Sequence, residues 1–90
     1  MIDVNTALDL LGKRVVDKVT RFSGIVTSIG FDLYGCVQAV VTPMAQENGK
    51  TESSSWFDTS RLDITDDHPV MARPDFRTSI SKGPQDKPLP

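Results

Sequence analysis

The residues of this sequence that could act in catalysis are one cysteine, one histidine and several aspartates. A cysteine nucleophile needs a base beside it to form the reactive thiolate. Cys36 begins an apolar run, whereas His68 stands far along the chain, next to Pro69. A structural zinc site needs four closely spaced ligands, which one cysteine and one distant histidine do not supply. We therefore expect a buried, structural Cys36, no metal and no cofactor.

Aspartates stand where the apolar runs begin or end. They are Asp17, Asp32, Asp58 and Asp63. Paired carboxylates perform acid–base chemistry when one of them is desolvated and its pKa rises. However, Asp17 precedes a bend near Thr20 and Asp58 precedes a tight corner, where aspartate side chains usually accept backbone N–H groups. The sequence contains no glycine-rich phosphate loop and no G-x-S-x-G motif. It therefore predicts turn-forming aspartates and a protein that is not an enzyme.

Aromatic residues are the best candidates for a binding surface. Trp56 and Phe57 are adjacent in an apolar run, so in a strand they point to opposite faces and only one of them fills the core. The turn before Cys36 has two interpretations: either Phe31 and Leu33 close one end of the core, or Tyr34 joins an outward Trp56 on a recognition surface. The candidate surface for a protein partner consists of Phe31, Tyr34, Trp56 and Phe57.

One local cluster of positive charge stands out, formed by Lys13, Arg14, Lys18 and Arg21. It is the place where a nucleic-acid phosphate would bind. Asp17 lies within the cluster, and the chain as a whole has a net charge of −2 and a pI of about 5.1. Nucleic-acid binders usually carry a basic excess, because counterion release supplies much of their affinity. Nucleic-acid binding is therefore disfavoured but stays open as an alternative.

The size and composition of the chain limit its class. A chain of 90 residues makes one domain, and such a domain buries only about 60% of its unfolded surface. The apolar runs are too short to span a bilayer, and the first residues lack the pattern of a signal peptide. A single cysteine cannot cross-link a small secreted protein. We expect a cytoplasmic protein that does not contact membranes.

Hydrophobic periodicity predicts one helix and five strands. Asn5 and Gly12 delimit a short helix, with Asn5 as its N-cap and Gly12 in the left-handed position after its end. The period then becomes two, which predicts strands over residues 15–20, 25–29, 36–42, 55–58 and 61–64. The predicted core consists of Val15, Val19, Ile25, Ile29, Val37, Val41 and Leu62.

Five short strands within about fifty residues favour a small curled barrel, because an open flat sheet of that size would leave its apolar face wet. The predicted fold is all-β: a five-stranded SH3-like barrel with a short N-terminal helix over residues 1–65. An OB-like barrel is the alternative. Residues 66–90 hold five of the six prolines and no sustained periodicity, which predicts an extended tail.

The tail also suggests an oligomer. Its apolar residues are spaced too widely for one helix face, and an extended segment from Val70 to Ile80 reaches about 33–36 Å. Such a segment can lie over its own domain or bind a second copy. A small chain gains buried area by association, so we expect a homo-oligomer, most simply a dimer, with Phe76 as the tail anchor.

The segment from Val15 to Thr27, VVDKVTRFSGIVT, resembles the opening of KOW- and Tudor-type SH3-like modules, in which a V-x-D-x-V strand leads through a bend into G-x-V. Over residues 13–64 the pattern is similar to small proteins of phages, prophages and mobile gene cassettes. This resemblance implies a fold and a genetic setting, and it brings no catalytic residues. The sequence lacks the basic loop of true KOW modules.

These observations predict a non-catalytic interaction module of a phage or mobile genetic element that binds a protein partner through its aromatic surface. Two alternatives stay open. One is a KOW-like nucleic-acid-binding protein that uses the basic patch at residues 13–21. The other is a structural component of a phage particle, which also needs only a folded interface.

Overall fold

A computed structural model describes residues 3–50 and 52–76 of the chain. The elements are α1 (Val4–Leu8), β1 (Arg14–Asp17), β2 (Ser23–Phe31), β3 (Val37–Thr42), β4 (Ser55–Asp58), a 3-10 turn (Thr59–Arg61) and β5 (Leu62–Asp66). The prediction of a mostly β chain with five strands and a short N-terminal helix is confirmed. Within the described residues, no helix has the length and apolarity needed to cross a membrane.

The five strands form one antiparallel sheet in the order β4-β3-β2-β1-β5. The first three strands each pair with the next one along the chain. The last strand returns to the first, pairing Leu62 with Asp17 and Asp66 with Arg14. The two edge strands, β4 and β5, are therefore consecutive in sequence and are separated only by the 3-10 turn.

The N-terminal helix begins earlier than predicted. Asp3 is its N-cap, and its carboxylate accepts the N–H of Thr6 at 2.8 Å. Asn5 lies inside the first turn, so the prediction of Asn5 as the cap is wrong. The carboxylate of Asp3, two residues earlier, already accepts a free amide of this turn. Gly12 has φ +86° as expected. The helix and the turn after it bury Ala7 and Leu10.

The first strand is shorter than predicted and ends at Asp17. The Asp17 carboxylate accepts the N–H of Thr20 at 2.9 Å and its hydroxyl at 2.5 Å. The chain then turns through Arg21, whose φ is +68°. Val19 lies on this bend and is 71% exposed, so its assignment to the core is wrong. The side-chain hydrogen bonds of the bend outweigh the strand preference of Val19.

A bulge changes the inward-facing residues of β2. Val26 pairs with Val41 and Ser28 with Val40, which leaves Thr27 as an extra residue. An extra residue reverses the alternation beyond it. As a result Val26 and Ile29, three residues apart, both contact the core. Ile25 faces away from it and is half-buried, so the prediction that Ile25 is a core residue is wrong.

The core is built from small aliphatic side chains and one ring. Its buried members are Leu10, Val15, Val26, Ala39, Val41 and Phe57. Val15 and Val41 confirm the prediction, whereas Ile29 and Leu62 pack only at its margin. Val37 is half-buried and lies outside this cluster, so its core assignment is wrong. The predicted core failed where a bend, a bulge or a strand end redirected the chain.

Asp17 is fully buried and ion-paired. Arg61 donates to its two carboxylate oxygens, from Nε at 2.8 Å and from a terminal nitrogen at 2.6 Å. The Arg61 guanidinium also lies 5.3 Å from the centre of the Phe57 ring. The Arg61 hydrogen bonds hold the pKa of Asp17 well below its usual range, and the Thr20 hydrogen bonds add to this effect. The pair therefore joins the β1 bend to the 3-10 turn.

Candidate functional site

The turn between β2 and β3 is held by its own hydrogen bonds. The Asp32 carboxylate accepts the N–H of Tyr34 at 3.0 Å and that of Cys36 at 2.8 Å. The Gly35 N–H donates to the Asp32 carbonyl at 3.1 Å, and Gly35 has φ +88°, which favours glycine. The expectation that aspartates organise turns is confirmed here. It is also confirmed at Asp58, which accepts the N–H of Ser60 at 2.9 Å.

This turn presents large apolar side chains to solvent. Leu33 is 90% exposed and Tyr34 is 86% exposed. Phe31, at the end of β2, is half exposed. The interpretation in which Phe31 and Leu33 close the end of the core is therefore wrong. We call Leu33 and Tyr34 the hairpin tip.

Trp56 and Phe57 point to opposite faces of β4, as predicted. Phe57 is 8% exposed and its ring centre lies 5.3 Å from that of Phe22. Phe57 is therefore a core residue, and its assignment to the binding surface is wrong. Trp56 is 57% exposed. Its ring reaches across the sheet to Gly30, where an added Cβ would lie 3.1 Å from the ring.

The predicted aromatic residues do not form a single patch. Gly30 lies beneath the Trp56 ring, and Phe31 follows it in the same strand, so Phe31 faces the opposite side of the sheet. Tyr34 lies in the turn beyond both. The exposed aromatic residues surround one end of the β2–β3 hairpin on different sides.

A groove of about 620 Å³ adjoins the turn. It is lined by Asp3, Thr6, Gly35, Cys36, Val37, Asp58, Thr59 and Ser60. These residues come from the start of α1, the β2–β3 turn and the 3-10 turn. The pKa values of Asp3 and Asp58 are lowered mainly by hydrogen bonds from the Thr6 and Ser60 backbones. Both carboxylates are therefore ionised at neutral pH.

Cys36 is exposed at the edge of this groove, so the prediction of a buried cysteine is wrong. Its position at the end of the turn, before β3 begins, is the reason. The negative charge of Asp32 is the largest cause of a raised pKa of the thiol, followed by burial, an Asp32 hydrogen bond and the charge of Asp58. A raised pKa makes the thiol a poor nucleophile at neutral pH.

The other chemistry-bearing side chains lie elsewhere. His68 contacts Asp66, with its ring nitrogen 3.3 Å from the carboxylate. Within residues 3–50 and 52–76, no three His, Cys, Asp or Glu side chains are grouped so that they could hold a metal ion.

Acidic side chains of β5 partly neutralise the basic patch. Arg14 forms an ion pair with Asp66 at 3.3 Å, and Lys18 forms one with Asp63 at 3.8 Å. Arg21 is exposed on the bend and Lys13 is half-buried. Because β5 pairs with β1, its acidic residues lie beside the cations, and this pairing lowers the attraction of the patch for phosphate.

The described part of the tail lies against its own chain. The Val70 N–H donates to the Gly12 carbonyl at 2.8 Å, and the Arg73 guanidinium contacts Asp9 at 2.9 Å. An apolar cavity of about 310 Å³ lies between this segment and β2, and Phe76 and Ile25 are among its lining residues. Of the predicted tail, residues 77–90 lie outside the described residues.

No protein-family model, curated protein or solved structure matches this chain. The function is therefore argued from the site itself. The sequence suggested only a core role for Leu33, and it did not point to the groove residues Asp3 and Ser60. The pairing of Asp32 with Gly35 was a usable signal, because an aspartate followed by a left-handed glycine predicts a tight turn that exposes the residues between them.

Proposed function

We propose that this chain is a non-catalytic interaction module that binds a protein partner through the hairpin tip, with Trp56 as a second contact. One observation carries the proposal: Leu33 and Tyr34 are the most exposed large apolar side chains of the described residues, and they are neighbours. Isolated exposed apolar residues are ordinary. An adjacent pair on a hydrogen-bonded turn offers a compact apolar contact at a fixed place.

The order of the turn supports this role. Binding loses affinity when flexible loops must be ordered. The backbone around Leu33 and Tyr34 is already restrained by the Asp32 carboxylate and by the left-handed Gly35. Aromatic side chains at such positions dominate many interface energies. Tyr34 and Trp56 are the residues in which we expect most of the binding energy.

We further propose that the sheet curls into an SH3-like barrel. The edge strands β4 and β5 are joined by only the three residues Thr59–Arg61. In a flat sheet of this order, four strand spacings of about 4.8 Å would separate the edges by roughly 19 Å. A three-residue 3-10 turn advances only about 6 Å. This difference supports a curled sheet.

The genetic setting and the compartment also belong to the proposal. The resemblance over residues 13–64 suggests a phage or mobile genetic element, where the chain acts in the cytoplasm or as part of a particle. The raised pKa of the Cys36 thiol supports a role without nucleophilic catalysis. The ion pairs of Arg14 and Lys18 weigh against the nucleic-acid alternative.

The homodimer is proposed with Phe76 as its anchor. This ring is more than one-third exposed, and it lines the apolar cavity between the tail and β2. Light scattering of the full chain and of Phe76→Ser, both near 100 μM, tests the proposal. That concentration is about where an interface worth 5–6 kcal/mol shows. A monomer for both proteins contradicts it.

A comparison of capture by three proteins tests the main proposal. Immobilised wild type, a Leu33→Ser/Tyr34→Ser double variant and Val19→Ser are exposed to lysate of the native host. Val19 is the matched control, because it is an apolar residue 71% exposed on a different bend. We expect a protein retained by wild type and by Val19→Ser but lost from the tip variant. Equal retention by all three would refute the role of the tip.

A further inference from the structure

Residues 67–76 follow β5 and lie against β2 and the turn after α1. We call this segment the strap. It leaves β5 at Asp66, whose carboxylate accepts the N–H of His68 at 3.0 Å. Its backbone then meets the turn after α1, where the Val70 N–H donates to the Gly12 carbonyl at 2.8 Å. The strap is therefore docked on its own chain by a specific backbone contact.

The strap is nevertheless weakly attached to the fold. It forms no strand, and none of its residues belongs to the core cluster or packs against that cluster. All of its residues except Arg73 are exposed. The ion pair between Arg73 and Asp9 is open to solvent as well, since the Asp9 side chain is 58% exposed, and exposed pairs stabilise little. A segment with few buried contacts opens more easily than the whole domain unfolds.

The packing beneath the strap is incomplete. The cavity of about 310 Å³ lies between the strap and the body of the domain, where Leu11 and Ile25 line it. Atoms that face a cavity lack contacts on that side, so closure of the strap gains less than a close-packed segment would. Leu11 and Ile25 are half-buried, and opening of the strap exposes both side chains further.

One contact of the strap is close and can be blocked selectively. A Cβ at Gly12 would lie 2.9 Å from the Met71 carbonyl oxygen and 3.2 Å from the Pro69 side chain. Gly12 also has φ +86°, a conformation that favours glycine. Because the core does not include the strap, a methyl group at this position pushes on the strap without filling or emptying the core.

We propose that the strap is a conformational device that opens as a unit while the five-stranded sheet stays folded. Opening breaks the hydrogen bond and the ion pair that join the strap to α1 and the turn after it. It also uncovers Leu11 and Ile25, so the chain exposes a further apolar surface without unfolding. The closed strap hides that surface.

Native-state hydrogen exchange of the full chain measures the opening. The Val26 N–H, which donates to the Lys13 carbonyl at 3.0 Å, is the reference amide of the sheet. After correction for intrinsic rates, we expect the Val70 amide to exchange at least about 100-fold faster than that of Val26, at a rate that low urea concentrations leave unchanged. Equal protection and equal urea dependence of the two amides would overturn the inference, as would a Val70 amide with no protection at all.

Two glycine variants separate the strap from backbone strain. Gly12→Ala and Gly49→Ala both place alanine in the left-handed region, at φ +86° and +84°, but an added Cβ at Gly49 meets no atom within 4 Å. We expect Val70 to exchange about tenfold faster or more in Gly12→Ala than in Gly49→Ala, with similar Val26 protection in both variants. Equal Val70 rates, or a loss of Val26 protection only in Gly12→Ala, would contradict an independent strap.

A charge reversal tests the same opening if Gly12→Ala does not fold. Asp9→Lys places a cation beside Arg73 and should speed Val70 exchange by about threefold or more at low salt, with a smaller effect at high salt. Asp63→Lys is the matched control, because Asp63 is also 58% exposed and forms an ion pair, with Lys18, away from the strap. Equal acceleration by the two variants, or none by Asp9→Lys, counts against the proposal.

A dye that fluoresces on apolar surface, anilinonaphthalene sulfonate, tests what the strap covers. Gly12→Ala should bind it with about twofold higher fluorescence or more than Gly49→Ala, while the far-ultraviolet circular dichroism of the two variants stays the same. Ile25→Ser added to Gly12→Ala should reduce this gain, because Ile25 lines the uncovered surface. Equal fluorescence of the two glycine variants, or a gain that Ile25→Ser leaves intact, would show that the strap does not cover this surface.

Discussion

Adjacent residues of β4 should differ sharply in their contribution to stability. Phe57 is 8% exposed and packs in the core, whereas Trp56 is 57% exposed on the opposite face. Phe57→Ala should lower the free energy of unfolding by about 3–5 kcal/mol, the usual cost of removing a buried ring. Trp56→Ala should lower it by about 1 kcal/mol or less, because the ring covers only the surface above Gly30.

The surroundings of Phe57 favour a stability cost near the upper end of the expected range of about 3–5 kcal/mol. Its ring lies 5.3 Å from the Phe22 ring and 5.3 Å from the Arg61 guanidinium carbon. Its cross-strand neighbour, Ala39, is fully buried and too small to fill the space left by the ring. The cavity would therefore persist, and residual cavity volume raises the cost. A domain of this size has roughly 5–15 kcal/mol of stability in total.

Urea unfolding followed by circular dichroism measures both effects, since fluorescence would be lost with Trp56. Phe57→Leu keeps part of the apolar volume and should cost about 1–2 kcal/mol, so it remains measurable if Phe57→Ala does not fold. Similar costs for Trp56→Ala and Phe57→Ala, or a larger cost for Trp56→Ala, would refute the face assignment of β4.

Three further outcomes are expected. Asp17→Asn should unfold at a lower urea concentration than wild type at pH 7. Because Arg61 lowers the folded-state pKa of Asp17, the greater stability of wild type should be complete above about pH 4 and should shrink as the pH falls below it. A stability difference that does not change with pH would contradict this. Gly24→Ala should cost more than about 2 kcal/mol in thermal melts, because its Cβ would fall on the backbone carbonyl oxygen of Thr42; an unchanged melting temperature would argue against the close approach. Gly30→Ala should change stability by less than about 0.5 kcal/mol and shift the emission of the single tryptophan, and an unaltered spectrum would remove Trp56 from that position.

The sequence predicted the bounds of a strand correctly where the residues at its ends have clear structural preferences. The bounds of β4, Ser55–Asp58, were predicted correctly because polar serines precede Trp56 and Asp58 begins an aspartate turn. Alternation also required that Trp56 and Phe57 face opposite sides. Which of them is buried could not be predicted, because it depends on the neighbouring strand, where Ala39 leaves room for the Phe57 ring.

The failures have specific physical causes. Nothing in the sequence of β2 distinguishes a bulge at Thr27 from regular pairing. With the bulge, the core contains Val26 and not the predicted Ile25. Val19 continued a period-two pattern, but the Asp17 carboxylate ended the strand by binding Thr20. The groove residue Asp3 is brought near Asp58 by tertiary packing between elements far apart in sequence.

The distribution of charge favours one kind of partner over the other. Four cations of the described residues have acidic neighbours: Arg14 and Lys18 face β5, Arg61 faces Asp17 and Arg73 faces Asp9. The carboxylates of the groove mainly accept backbone amides, which lowers their pKa values without cancelling their charge, and the charge of Arg61 adds to this effect at Asp58. A positive surface able to hold phosphate is therefore weakened by the fold, while a negative groove is kept next to an apolar tip. The proposed protein partner, bound through the apolar tip, fits this arrangement better than a nucleic acid does.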